Sequence, residues 1–158
     1  MSMMRIERKI VDTVYFSFQP FYIPPNLNIV EMPVAFVDLK KKDGKWQTIE
    51  AMIDSGACVS VFKKEFVEGV LELDIKNNRL QKLGGVGGGG IEVYIHKVDM
   101  KIGCILLEDV DVGFCKDDGV LQRNLLGIHN IFDQFKLCFE NRESLFIKET
   151  LKKWIVQS

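Results

Sequence analysis

Period-two alternation, carried in short segments and cut off each time by turn residues, constrains this chain more than any other feature of it. Residues 10–18 are rich in Val, Tyr and Phe, and Pro20, Pro24 and Pro25 then break the chain into an extended linker or edge. Residues 32–39 read as a strand. Asp43-Gly44 is a strong hairpin turn signal, and residues 46–53 return as the partner strand. Val59 and Val61 continue in the same manner, and residues 62–70 read as a short helix ending near Gly69. Residues 91–96 alternate, whereas Val98, Met100 and Ile102 continue on the other parity, so a bulge or bend is expected near Lys97. Residues 105–114 form another strand candidate, closed by the turn Lys116-Asp117-Asp118-Gly119. Many short strands with few helices predict an all-β, closed or nearly closed structure.

Toward the C-terminus, Leu125-Leu126-Gly127 reads as a buried segment. A short helix is expected over residues 128–135, with Ile128, Ile131, Phe132 and Phe135 apolar. Residues 136–140 and 145–148 suit a hairpin around Asn141-Arg142. The tail, 149–158, is charged and has Leu151, Trp154 and Ile155 at helical spacing. The 158 residues suffice for one domain with its own core, and neither an internal repeat nor a second domain is visible.

The formal net charge of −1 leaves no electrostatic footprint for nucleic acid or an anionic membrane. No apolar run approaches a transmembrane helix in length, and the first residues lack the apolar core of a signal peptide. Cys58, Cys104, Cys115 and Cys138 form no CxxC pair and are too sparse for a disulfide scaffold. They read as reduced, buried, apolar cysteines of a cytoplasmic protein. Cys104 and Cys115 with His96 and His129 do not have the spacing of common zinc sites, so no metal is expected.

Asp54-Ser55-Gly56-Ala57 follows the alternating Ile49, Ala51 and Ile53. An acid at the end of a half-buried strand is costly unless its surroundings are organised around it. Further on, Gly85-Val86-Gly87-Gly88-Gly89-Gly90 satisfies the spacing G-x-G-x-x-G. A dinucleotide site needs a buried strand before that pattern and a helix after it. Here polar residues 77–82 precede it and an alternating segment follows. Two readings remain, a merely flexible loop or a hairpin flap that closes over a ligand and excludes water.

Asp54-Ser55-Gly56, the glycine-rich loop and Leu125-Leu126-Gly127, in that order, resemble the retropepsin-like aspartic proteases. Residues 125–139 look like the C-terminal motif of small free-standing prokaryotic members, and the resemblance covers about residues 33–147. It implies an acid-protease closed β-barrel with one or two short helices, active as a two-fold homodimer. A pepsin-like enzyme has two Asp-Thr/Ser-Gly turns where this chain has one. By the resemblance Asp54 is the catalytic carboxylate, and Ser55, Gly56, Ala57, Leu126 and Gly127 support the active-site loop. Gly84, Gly85, Val86, Gly87, Gly88, Gly89 and Gly90 form the flap over the substrate.

The implied activity is peptide-bond hydrolysis by a water activated between two Asp54 carboxylates, with no cofactor. The implied partners are a second copy and a peptide or protein substrate. The implied organisation is an N-terminal arm over 1–32, the protease domain over 33–148 and a C-terminal tail over 149–158. The N-terminal segment or residues 145–156 are expected to contribute strands or helices to the dimer interface. Viral members usually carry an acid where Cys58 stands and an Arg where Ile128 stands, and those groups pair. Their joint replacement by apolar residues leaves no orphaned charge. It also keeps open an alternative, a weakly catalytic or silent dimer that binds peptides or proteins.

Overall fold

The two ends of the chain are zipped together. In a computed structural model describing residues 3–23, 25, 28–76, 78–85 and 89–157, strand β1 (Met3–Ser17) pairs antiparallel with the last strand, β12 (Glu143–Gln157). The register runs without interruption from Met3 against Gln157 to Ser17 against Glu143. The helical spacing of Leu151, Trp154 and Ile155 is therefore misleading, because residues 149–157 are strand. So short an amphipathic stretch makes a marginal helix, whereas the ladder with β1 pairs its backbone along its whole length. Strand β11 (Lys136–Glu140) adds to the other edge of β12 through a two-residue turn. Asn141 and Arg142 take φ of 49° and 60° there, the left-handed geometry that matches strand twist in tight hairpins.

Of the two readings of the proline-marked stretch, linker or edge, the edge is the one that forms. Gln19–Ile23 (β2) and Asn28–Met32 (β3) pair as a separate two-stranded hairpin. Next come β4 (Val34–Lys40) and β5 (Trp46–Ile53), joined at the expected Asp43-Gly44 turn, where Gly44 has φ of 85°. The remaining strands are β6 (Ser60–Phe62), β7 (Arg79–Gly84), β8 (Gly90–Ile102), β9 (Ile105–Cys115) and β10 (Leu125–Leu126).

Strands β4, β5, β10, β6, β9 and β8 follow one another in that order, and β8 pairs back onto β4, which closes the barrel. Strand β7 lies outside the ring on β8. Arg79–Gly84, before the glycine run, is thus a strand, though an exposed one rather than the buried one a dinucleotide site requires.

Inward-facing Val37, Leu39, Ile49, Ala51, Met100, Ile102, Val112 and Phe114 fill the barrel, joined by Phe62, Leu126 and Ile131. Each fully buried large side chain of this kind contributes about 1.5–3 kcal/mol of transfer free energy. Phe146 carries the β1–β12–β11 sheet into the same core and stacks edge-on against Phe16 and Phe135. The register shift expected near Lys97 falls between Val98 and Met100, and the Asp109 N–H donates to Asp99 Oδ1 beside it.

The two expected helices are shorter than the spacing suggests. The first is α1 (Lys64–Phe66), which widens into a π-helical turn, Val67–Leu71. It ends at Glu72 in the left-handed region rather than at Gly69, because Val67 and Leu71 are both drawn into the core. The second is a single 3₁₀ turn, Phe132–Gln134. Asn130 has φ of 62° and breaks the run, and Ile128 is 43% exposed instead of lying on a buried face. Among the described residues no helix is long and apolar enough to cross a membrane.

The left-handed φ at Arg142 costs a non-glycine residue about 1 kcal/mol. Its exposed ion pair with Glu31 (3.1 Å) contributes less than that. Arg142→Gly is therefore expected to raise the melting temperature slightly in thermal unfolding; a clear drop would mean that the ion pair outweighs the strain.

Candidate active site

Asp54 stands where β5 leaves the barrel, and its backbone is held from both sides. The Ile53 N–H donates to the Pro33 carbonyl (3.0 Å), and the Asp54 N–H donates to the Leu126 carbonyl (3.0 Å). β10 runs parallel to β5, with Leu126 beside Ile53, and antiparallel to β6. After Asp54 the chain turns at once. The Ala57 N–H donates to the Asp54 carbonyl (3.1 Å), and the Gly56 N–H donates to Asp54 Oδ1 (2.8 Å). A Cβ at Gly56 would lie 3.1 Å from that carboxylate oxygen, so glycine permits the close approach.

The far side of the turn is laced to the segment after β10. The Ile128 N–H donates to the Ala57 carbonyl (2.9 Å) and the His129 N–H to the Cys58 carbonyl (2.8 Å). Between them Gly127 lies against backbone, where a Cβ would come within 2.6 Å of the Val59 carbonyl carbon and 2.7 Å of the Ala57 oxygen. Its buried N–H donates to Ser60 Oγ (2.9 Å), and Ser60 is fully buried.

A cleft of about 350 Å³ opens above this loop. Asp54, Gly56, Ala57 and Cys58 line one side of it, and Leu83, Gly84, Gly85, Gly89 and Ile91 the other, with Val59, Val61 and Leu125 between them. The second wall is the β7–β8 hairpin, in which Gly84 faces Gly90 and the Gly85 N–H donates to the Gly89 carbonyl (3.0 Å). The cleft therefore has an apolar lining with one carboxylate. Another depression, of about 420 Å³, is lined by Lys42, Glu68, Glu72, Leu73, Asp74, Ile75 and Lys76 and is largely charged.

Of the residues singled out in the sequence, Asp54, Gly56, Ala57, Gly84, Gly85 and Gly89 come together on this cleft. Leu126 and Gly127 lie behind the loop, fully or nearly buried, Ser55 is exposed beside it, and Gly90 closes the hairpin ladder. Val86, Gly87 and Gly88 lie outside the described residues.

Two supporting residues escape sequence reasoning, Ser60 and Asn124. The buried Asn124 takes the Lys63 N–H on its side-chain oxygen (2.9 Å) and donates to the Glu50 carbonyl (3.0 Å), so it ties β5 to the start of α1. The signal for Ser60 is its place between Val59 and Val61; an inward polar residue in an apolar strand implies a buried hydrogen bond.

The cysteines and histidines are dispersed. Cys58 and Cys104 are exposed, against the expectation of burial, while Cys115 is buried. Burial and the nearby Glu65 and Asp117 push the Cys115 thiol up to about 11. The His129 ring turns to Asp111 (3.4 Å), which also takes Lys97 (3.1 Å). Partial burial opposes ionisation of Asp111, but the Lys97 and His129 contacts prevail and hold its carboxyl below the ordinary value. His96 packs edge-on to Phe114 and contacts Asn78, and its burial lowers its proton affinity. Among the described residues no cluster of three His, Cys, Asp or Glu is arranged to hold a metal ion.

No protein-family model and no curated protein sequence matches the chain. Its fold matches that of solved structures. The crystal structure of a retropepsin-like aspartic protease from Rickettsia conorii aligns over 93% of this chain and 98% of its own, at 13% identity and a TM-score of 0.61. EIAV protease complexed with the inhibitor HBY-793 aligns over 66% of this chain and 88% of its own, at 20% identity and a TM-score of 0.46. The chain has the retropepsin-like fold.

Ser60→Ala leaves the buried Gly127 N–H without its acceptor, which costs about 1–3 kcal/mol. Urea unfolding is expected to show that loss, and an unchanged midpoint would mean that Ser60 does not brace the loop. For the thiols, a limited dose of iodoacetamide at neutral pH is expected to modify Cys58 and Cys104 and spare Cys115 in the folded protein, as read by peptide mass.

Proposed function

We propose that this chain, with its retropepsin-like fold, is an aspartic endopeptidase that works as a homodimer. The observation that carries the reading is Asp54 on the wall of an apolar cleft beneath a glycine-rich hairpin, on a loop braced by Gly127 and Ser60. Each copy supplies one Asp54, so one chain holds half of a dyad. Two carboxylates at contact cannot both ionise readily, and the pair shares a proton. The ionised member takes a proton from a water between them, and the protonated member polarises the scissile carbonyl. Ser55 braces the two loops across the axis, Gly56 and Ala57 let substrate backbone approach, and Gly84 to Gly90 close over it.

The proposed substrate is a peptide or unfolded protein segment with apolar side chains, matched to Val59, Val61, Leu83, Ile91 and Leu125. Residues 33–148 are the proposed protease domain, with 1–32 and 149–158 as N-terminal arm and C-terminal tail. Four unpaired cysteines support a reducing, cytoplasmic setting. A second reading, a peptide-binding dimer with little catalysis, is favoured by one observation. Cys58 and Ile128 are exposed at the loop where viral relatives of this fold carry an acid and an Arg.

Incubation with a peptide library across pH decides between them. Wild type is expected to cleave with a bell-shaped pH profile, because one carboxylate of the pair must be protonated and the other ionised. Asp54→Asn is expected to lower the rate by about a thousandfold. Cleavage that survives the substitution would rule out the aspartic mechanism, and binding without cleavage in both proteins would favour the second reading.

A further inference from the structure

The β2–β3 hairpin is a two-stranded sheet of its own, and such a ribbon is marginal in water unless something covers it. One of its faces is partly covered: Phe21, opposite Val30, lies under the Arg123 guanidinium at 3.2 Å from the ring centroid. Directly opposed residues share a face, so Tyr22 and Ile29 stand together on the other one, 64% and 60% exposed. Ile23 is exposed as well. Residues 19–32 contain a single charged residue, Glu31, and Arg142 engages it at 3.1 Å.

The place of this hairpin matters as much as its surface. It ends at Met32, and the next carbonyl, that of Pro33, accepts the Ile53 N–H, one residue before Asp54. Phe21 meets Arg123, two residues before the cleft-lining Leu125. The hairpin therefore springs from the strand ends that carry the candidate site. The β1–β12 ribbon also exposes Val11, Tyr15 and Leu151, but its contacts run to Phe36 on β4, to Gly103 at the β8–β9 turn and, through Phe146, to Phe132 and Phe135, none of which lines the cleft.

We propose that the β2–β3 hairpin is an arm that packs its Tyr22–Ile29 face on a second copy of the chain and so holds the two half-sites together. The proposal rests on the reading that the site is completed by a second copy. A two-fold axis that brings two Asp54 loops together also brings together what is anchored one residue from them. An interface that meets its own copy suits a surface without free charge, since like charges would repel. The exposed Tyr–Ile pair supplies the aromatic and aliphatic contact that interface centres favour.

The test uses the full-length chain and the double variant Tyr22→Ser/Ile29→Ser, whose replaced side chains are exposed, with circular dichroism to check the fold. Sedimentation over a concentration series is expected to show a wild-type dimer and a dissociation constant raised by about tenfold or more in the variant. Specific activity of the variant is expected to fall on dilution and return on concentrating. Amide exchange in wild type adds a measurement that needs no variant, and the hairpin amides are expected to exchange more slowly as concentration rises. A variant that dimerises like wild type, or hairpin exchange that ignores concentration, overturns the arm and leaves the dimeric protease standing. A wild type that is monomeric throughout yet cleaves overturns both. A wild type that dimerises without cleaving bears only on catalysis, and mass and exchange still decide the arm.

Discussion

Four hydrogen bonds between the turn at 54–60 and the segment at 126–129 hold the geometry on which everything else depends. Three join backbone to backbone: Asp54 to Leu126, Ile128 to Ala57, and His129 to Cys58. The fourth runs from the Gly127 amide to the buried Ser60 hydroxyl. They close a gap of many residues in sequence and convert an exposed turn into a rigid platform. Gly127 makes this possible, because any side chain there would enter the backbone of Val59 and Ala57. A turn fixed in this way can present a carboxylate at a set angle. A free loop would average over many.

The same lacing explains the shape of the cleft. It turns Val59, Val61 and Leu125 toward one opening and sets them against Leu83 and Ile91 of the β7–β8 hairpin. The wall that results is apolar and carries a single acid, a combination that suits chemistry on a desolvated peptide group. The cleft is also a site that one chain leaves with one carboxylate. In the proposed dyad a second copy supplies the other carboxylate, and the β2–β3 hairpin is the surface proposed to hold the two copies together.

Much of this was legible in the residue order. The alternation of β5 and the Asp43-Gly44 turn predicted its strand and hairpin, and Asp54-Ser55-Gly56 with Leu125-Leu126-Gly127 marked the two halves of the platform. Two local patterns misled, and a third left a choice open. The tail placed Leu151, Trp154 and Ile155 as a helix would, yet β1 offered it a ladder. Residues 128–135 had a helical stripe, yet the segment is laced to Ala57 and Cys58 and Asn130 then turns left-handed, which breaks the run. The prolines of residues 19–32 left a linker or an edge open, and pairing selects the edge, since Pro20 sits in a two-stranded hairpin that tolerates it. In the first two cases the competitor was a partner distant in sequence, and in the third it was the neighbouring strand of a local hairpin.

The sequence by itself determined the class of the fold, the position of the acid and the glycines around it. Period-two burial, turn chemistry and steric limits on backbone approach are local properties that each residue carries wherever the chain goes. Only the tertiary structure decided which segments pair, that β1 and β12 bind each other, and that Ser60 and Asn124 brace the site. It also decided that Cys58 faces the cleft rather than the core. Those outcomes depend on which donors and acceptors meet after the chain closes, and a buried hydrogen bond has no counterpart in local pattern until both of its partners are in place.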